Sequence, residues 1–170
     1  MFPAEKEPPT LAELHRDFPL KRTDLETILR MSDEDASFAR IAPEFAYRPF
    51  KTPSEPFPEY SYGDPKSPLP RPRWDAYRSI YGRDGIKLGI QRDSAKDAFV
   101  MVDSVGLLNR GHTTGYVHCE TPPSRDQDRF FPCIVGGDSA SQGYSSNPRK
   151  EAYSFQKLDD RWYAYDDGPS

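Results

Sequence analysis

Apolar positions near the start of the chain recur at helical spacing. Leu11, Leu14 and Phe18 fall on one face. Thr10-Leu11-Ala12-Glu13 has capping-box spacing, in which the Thr hydroxyl and the Glu carboxylate satisfy free backbone donors at a helix start. A short helix is expected there, stopped at Pro19 because a proline ring cannot continue the helical hydrogen bonding. Thr23-Asp24-Leu25-Glu26 repeats the signature and predicts a second helix with Leu25, Ile28 and Leu29 inward, running to about Met31. Ser32 can cap a further weak turn through Asp33-Glu34-Asp35, and Pro43 ends that segment. Pro72-Arg73 opens a last helix lined by Trp74, Tyr77 and Tyr81 and ended at Gly82.

After Gly85 the period shortens to two. Ile86, Leu88 and Ile90 alternate with Lys87, Gly89 and Gln91, the pattern of a half-buried strand. Phe99-Val100-Met101-Val102 is apolar without alternation and reads as a central strand covered on both faces. Thr113 to Glu120, Phe130 to Val135, Glu151 to Leu158 and Arg161 to Tyr165 complete six candidate strands, separated by Gly, Pro, Asn and Asp. Residues 151 to 166 form an aromatic hairpin, with Tyr153 and Phe155 on one face of its first strand. In its second strand Trp162 and Ala164 oppose Tyr163 and Tyr165. The fold expected is therefore α+β, with short N-terminal helices packed on an antiparallel sheet of five or six strands.

Between Pro49 and Pro72 eight residues are proline, which fixes φ and removes ladder donors, so this segment is expected to be a loop. It also carries Phe50, Phe57, Tyr60 and Tyr62, more aromatic surface than a solvated linker holds, and is expected to wrap the domain. The organisation expected is a flexible tether over residues 1 to 9, one domain over 10 to 166 and a tail over 167 to 170.

Composition narrows the classes of function. With 35% hydrophobic residues the chain can bury one modest core, and its 10 Tyr, 10 Phe and 2 Trp make that core aromatic and somewhat wet. A formal charge of -4 and a pI near 5.4 offer no footprint for nucleic acid. No apolar run reaches the roughly 18 to 20 residues that span a bilayer, and no transmembrane segment is expected. Phe2 to Pro9 reads as a tether, which suits a mature domain whose leader was replaced by a starting methionine. The location expected is periplasmic or envelope-associated if a leader is removed, and otherwise cytoplasmic.

Few groups suggest chemistry. Gly136-Gly137-Asp138-Ser139-Ala140-Ser141 approaches a nucleophile elbow, but Ser141 stands where the last glycine belongs and no helical pattern follows. His112, His118, Cys119 and Cys133 are the one soft-ligand set. His118 and Cys119 are adjacent in a strand and point to opposite faces, which makes Cys119 a core thiol and His118 a surface residue. No metal and no cofactor is expected, and no catalytic residue is assigned. Cys119 and Cys133 are candidates for one disulfide in an oxidising compartment, with two buried thiols as the alternative. Tyr144, Tyr163 and Tyr165, with Asp166 and Asp167, have the composition of a protein-binding patch; the structural alternative is that these rings simply cover the sheet.

The segments Met31 to Phe45 and Arg73 to Arg92 resemble those of an uncharacterised family of small proteobacterial proteins, some of them envelope lipoproteins. The resemblance implies a bacterial source and an envelope location, and brings no catalytic residue. The function expected is a non-catalytic protein-binding module, concretely an inhibitor or immunity protein that neutralises a secreted toxin. The alternatives are an envelope accessory lipoprotein with a structural or ligand-holding role, and a hydrolase using Ser139 or a cysteine. The partner expected is a protein, either a toxin or an envelope protein.

Overall fold

The computed structural model describes residues 6–49, 59–92, 97–106, 112–120 and 154–167. Within them two helices lie with an eight-stranded antiparallel sheet, so the class is α+β. The strand number exceeds the five or six expected.

Helix α1 runs unbroken over Leu11–Glu34 and replaces the two helices and the weak turn expected from the sequence. Thr10 caps it as anticipated: the Glu13 N–H donates to Thr10 Oγ1 at 3.2 Å, and the Thr10 N–H donates to Glu13 Oε2 at 2.8 Å. Pro19 does not stop the helix because of where it points. Pro19 and His15 are both exposed, so water can take the His15 carbonyl that proline cannot serve. The opposite face is continuous, burying Leu14, Phe18, Leu25, Ile28, Leu29 and Met31. Burial of that stripe carries the helix across its internal proline.

Helix α2 spans Arg71–Asp84 and ends on Gly85, whose φ of 69° is left-handed and costs glycine little. It buries Trp74, Tyr77, Ile80 and Tyr81. Arg73 joins the two helices by donating to Asp35 at 2.8 Å, Glu34 at 2.6 Å and the Met31 carbonyl at 3.1 Å.

The strands are β1 Arg40–Ile41, β2 Phe45–Tyr47, β3 Glu59–Ser61, β4 Gly89–Arg92, β5 Ala98–Val105, β6 His112–His118, β7 Ser154–Lys157 and β8 Trp162–Asp166. Their order across the sheet is β3-β2-β1-β4-β5-β6-β8-β7. β1, β2 and β3 lie where the sequence suggested no strand, and β3 falls inside the proline-rich stretch expected to be only loop. Tyr60 and Tyr62 from that stretch pack against the core. The Phe130 to Val135 strand lies outside the described residues. The closing hairpin forms as β7 and β8, with Lys157 opposite Tyr163 and Ser154 opposite Asp166.

The helices cover one face of the sheet. Ile41, Ala46, Ile90, Val100, Val102, Tyr116, Trp162 and Ala164 meet the helical stripes there. The core is aromatic, as composition suggests, and four of its polar tips are met by protein groups. Trp74 Nε1 donates to the Ala42 carbonyl at 2.9 Å, and the Tyr81 hydroxyl donates to the Ile41 carbonyl at 2.6 Å. The Tyr116 hydroxyl reaches the Leu14 carbonyl at 3.0 Å, and Trp162 Nε1 reaches Glu26 at 2.9 Å. Pairing these tips avoids the cost of burying an unsatisfied donor, about 1–3 kcal/mol each.

Candidate functional site

The register defines the face turned away from the helices. Because Ile41, Ala46 and Ile90 point to the helices, their strand neighbours Arg40, Phe45, Tyr47 and Gln91 point the other way. One lateral row on this outer face runs Glu59, Tyr47, Arg40, Gln91, Phe99, Val117, Tyr163, Lys157.

Half of that row is open. Arg40, Phe45, Tyr47 and Gln91 are half-buried, and Glu59 is exposed on the edge strand β3. The Phe45 and Tyr47 rings lie nearly parallel, 8° apart with centroids 6.4 Å from each other. The Arg40 guanidinium sits 4.8 Å above the Phe45 ring, held there because it also donates to the Leu88 carbonyl at 3.1 Å. The strand below is fixed from the helix side by the Trp74 and Tyr81 hydrogen bonds to the end of β1. The result is a firm, flat aromatic and guanidinium platform on strands that sequence reading missed. Its only signal was the period-two run Phe45-Ala46-Tyr47 between Pro43 and Pro49.

The other half is closed. Phe99, Val117, Tyr163 and Tyr165 are buried, and Phe99 meets Tyr165 edge-on with centroids 5.7 Å apart. Tyr163 is 1% exposed and Tyr165 3% exposed, so neither ring offers the open contact area that the sequence assigned to it. Tyr144, from the same expected patch, lies outside the described residues.

Asp166 and Asp167, the acidic members of that patch, are half-buried and engaged at the end of the hairpin. Asp166 Oδ1 lies 2.9 Å from Nδ1 of His112. The Asp167 carboxylate accepts from the Thr113 N–H. Burial raises the Asp167 pKa above the usual carboxylate value against that hydrogen bond, which acts to lower it. A carboxylate that orients an imidazole is one part of acid–base machinery. Among the described residues no hydroxyl or thiol hydrogen-bonds to His112.

His118 is not the surface residue expected. It is half-buried, with its ring edge-on to Trp162 at 4.9 Å, and burial lowers its pKa, favouring the neutral imidazole. Cys119 is buried and disulfide-bonded. Cys133 and Ser139 lie outside the described residues. Among the described residues no group of three or more His, Cys, Asp and Glu side chains is placed to hold a metal ion. No helix among them is long and apolar enough to cross a membrane.

Comparison of the chain with protein-family models, with curated proteins and with solved structures found no match.

Proposed function

We infer that this chain is a protein-binding module acting by surface complementarity, most concretely an inhibitor or immunity protein that neutralises a secreted antibacterial toxin. The observation that supports the reading is the half-exposed Arg40–Phe45–Tyr47 platform on the outer face. Arginine and aromatic rings dominate the energetics of protein interfaces, because they give large contact area at low entropic cost. A guanidinium already stacked on a ring loses little further freedom when a partner covers it. The contact surface is thereby moved from the buried Tyr163 and Tyr165 rings to the opposite half of the sheet. The net charge of -4 suits a basic partner. An envelope or periplasmic site of action goes with the resemblance over Met31 to Phe45 and Arg73 to Arg92.

The test is affinity capture from the native host, followed by calorimetric titration with the captured protein and with the product of the neighbouring gene. A saturable one-to-one complex is expected, weakened roughly tenfold or more by the double change Arg40→Ala and Phe45→Ala with the far-UV dichroism unchanged. Failure to recover any partner, or equal affinity in the double variant, would overturn this reading.

A further inference from the structure

The joint between the two helices contains an acidic pair that the binding reading does not use. Asp24 in α1 takes both guanidinium arms of Arg83 in α2, at 2.8 and 2.7 Å. Asp84, the last residue of α2, is 8% exposed, yet its Oδ2 receives no donor among the described residues. An ionised carboxylate is an acceptor only, so a buried oxygen without a donor is costly. A proton on Asp84 resolves the difficulty, since a neutral carboxyl can donate, and Asp24, held against the end of α2 by the adjacent Arg83, is the carboxylate that acts on it.

We propose that Asp24 and Asp84 form a proton-operated latch, one shared proton holding the end of α2 against α1 and its loss loosening that joint. The surroundings favour keeping the proton. Burial is the largest influence on Asp84, and the negative charge of Asp24 acts in the same direction. Asp84 also occupies the C-terminal turn of α2, where the helix dipole disfavours another negative charge. Lys21 of α1 and Arg83 of α2 oppose these effects without overcoming them, and the Asp84 pKa is raised to about 6. From the sheet the facing titratable group is the Tyr116 hydroxyl, which burial holds in its neutral form. Arg83 holds Asp24 ionised by hydrogen bonding, well below the usual carboxylate range. The pair is therefore one acid and one carboxylate rather than two of either.

The sign follows from linkage. Asp84 binds its proton more tightly folded than unfolded, so the stability it confers is full below the ordinary value of 3.8 and is lost as pH rises through about 6. The experiment is a carbon-detected NMR titration of the carboxyl groups, combined with amide exchange at the Ile86 N–H, which donates to the Tyr81 carbonyl where α2 ends. The Asp84 carboxyl is expected to titrate near pH 6. Exchange at Ile86, corrected for its intrinsic pH dependence, is expected to quicken by up to about tenfold from pH 5 to 7.5. Asp84→Asn keeps a donor toward Asp24 and should abolish that change, while Asp24→Asn should lower the Asp84 midpoint. An Asp84 midpoint at the ordinary carboxylate value would overturn the proposal without any variant. So would a pH-dependent exchange rate that Asp84→Asn leaves unaltered.

Discussion

The outer face of the sheet changes character halfway across. From β3 to β4 the strands have three, three, two and four residues, and their outward side chains are half-buried or exposed. From β5 through β6 to β8 they have eight, seven and five, and Phe99, Val117, Tyr163 and Tyr165 are buried. One continuous hydrogen-bonded sheet thus carries a platform at one end and a second core at the other. The closed half is buried on both faces, whereas the outward side chains of the open half are half-buried or exposed and its helix side is held by Trp74 and Tyr81 at the end of β1.

The largest expected effect should not distinguish the halves, because backbone crowding is severe in both. A Cβ on Gly115 would sit 2.1 Å from the Val100 carbonyl oxygen, and one on Gly89 would sit 2.2 Å from that of Ile41. Gly89 also has a φ of 85°. Gly115→Ala and Gly89→Ala should each destabilise by roughly 3 kcal/mol or more in urea unfolding, since a backbone oxygen cannot move aside without breaking the ladder. A mild Gly89→Ala would mean that the open half is more loosely paired than its register implies.

Next in size comes the ring of the closed half. Phe99→Ala should cost about 3–5 kcal/mol through lost burial and the cavity left behind. On the open half, Phe45→Ala should cost under about 1 kcal/mol, because its ring is already half in water. Equal losses at the two positions would erase the distinction and remove the platform as a binding surface. Arg40→Ala alone should have an effect of similar small size, at about 0.5–1 kcal/mol of stability for a half-buried guanidinium with one ring contact and one carbonyl bond. Salt-dependent melting curves provide the check, and a much larger loss would show that Arg40 serves the fold rather than a partner.

Much of the architecture was legible where the cause is local. The capping box at Thr10 and Glu13 is where it was expected, because its partners are three residues apart. The hairpin of β7 and β8 was legible for the same reason, as was β5, whose apolar run proved buried on both faces. The site was much less so. Arg40, Phe45 and Tyr47 sit on strands of two and three residues, too short to show a period, and their neighbour β3 lies in the Pro49 to Pro72 stretch where only a loop was expected. Tyr163 and Tyr165 were recognised as aromatics on the outer face, but alternation names a face without saying whether that face is open.

What the sequence by itself determined is what is set by neighbours along the chain: the start of α1, the α+β class and the closing hairpin; the end of α2 was expected at Gly82 and falls at Gly85. The tertiary structure decided the rest. Pro19 is compatible with α1 only because its side of the helix faces solvent while Leu14, Phe18 and Leu25 are buried on the other. β1 exists as a strand because β2 and β4 flank it and Trp74 and Tyr81 bond its end. Burial and hydrogen bonding between distant segments are cooperative quantities, settled only when those segments meet. For that reason the availability of a ring to a partner is a property of the folded molecule.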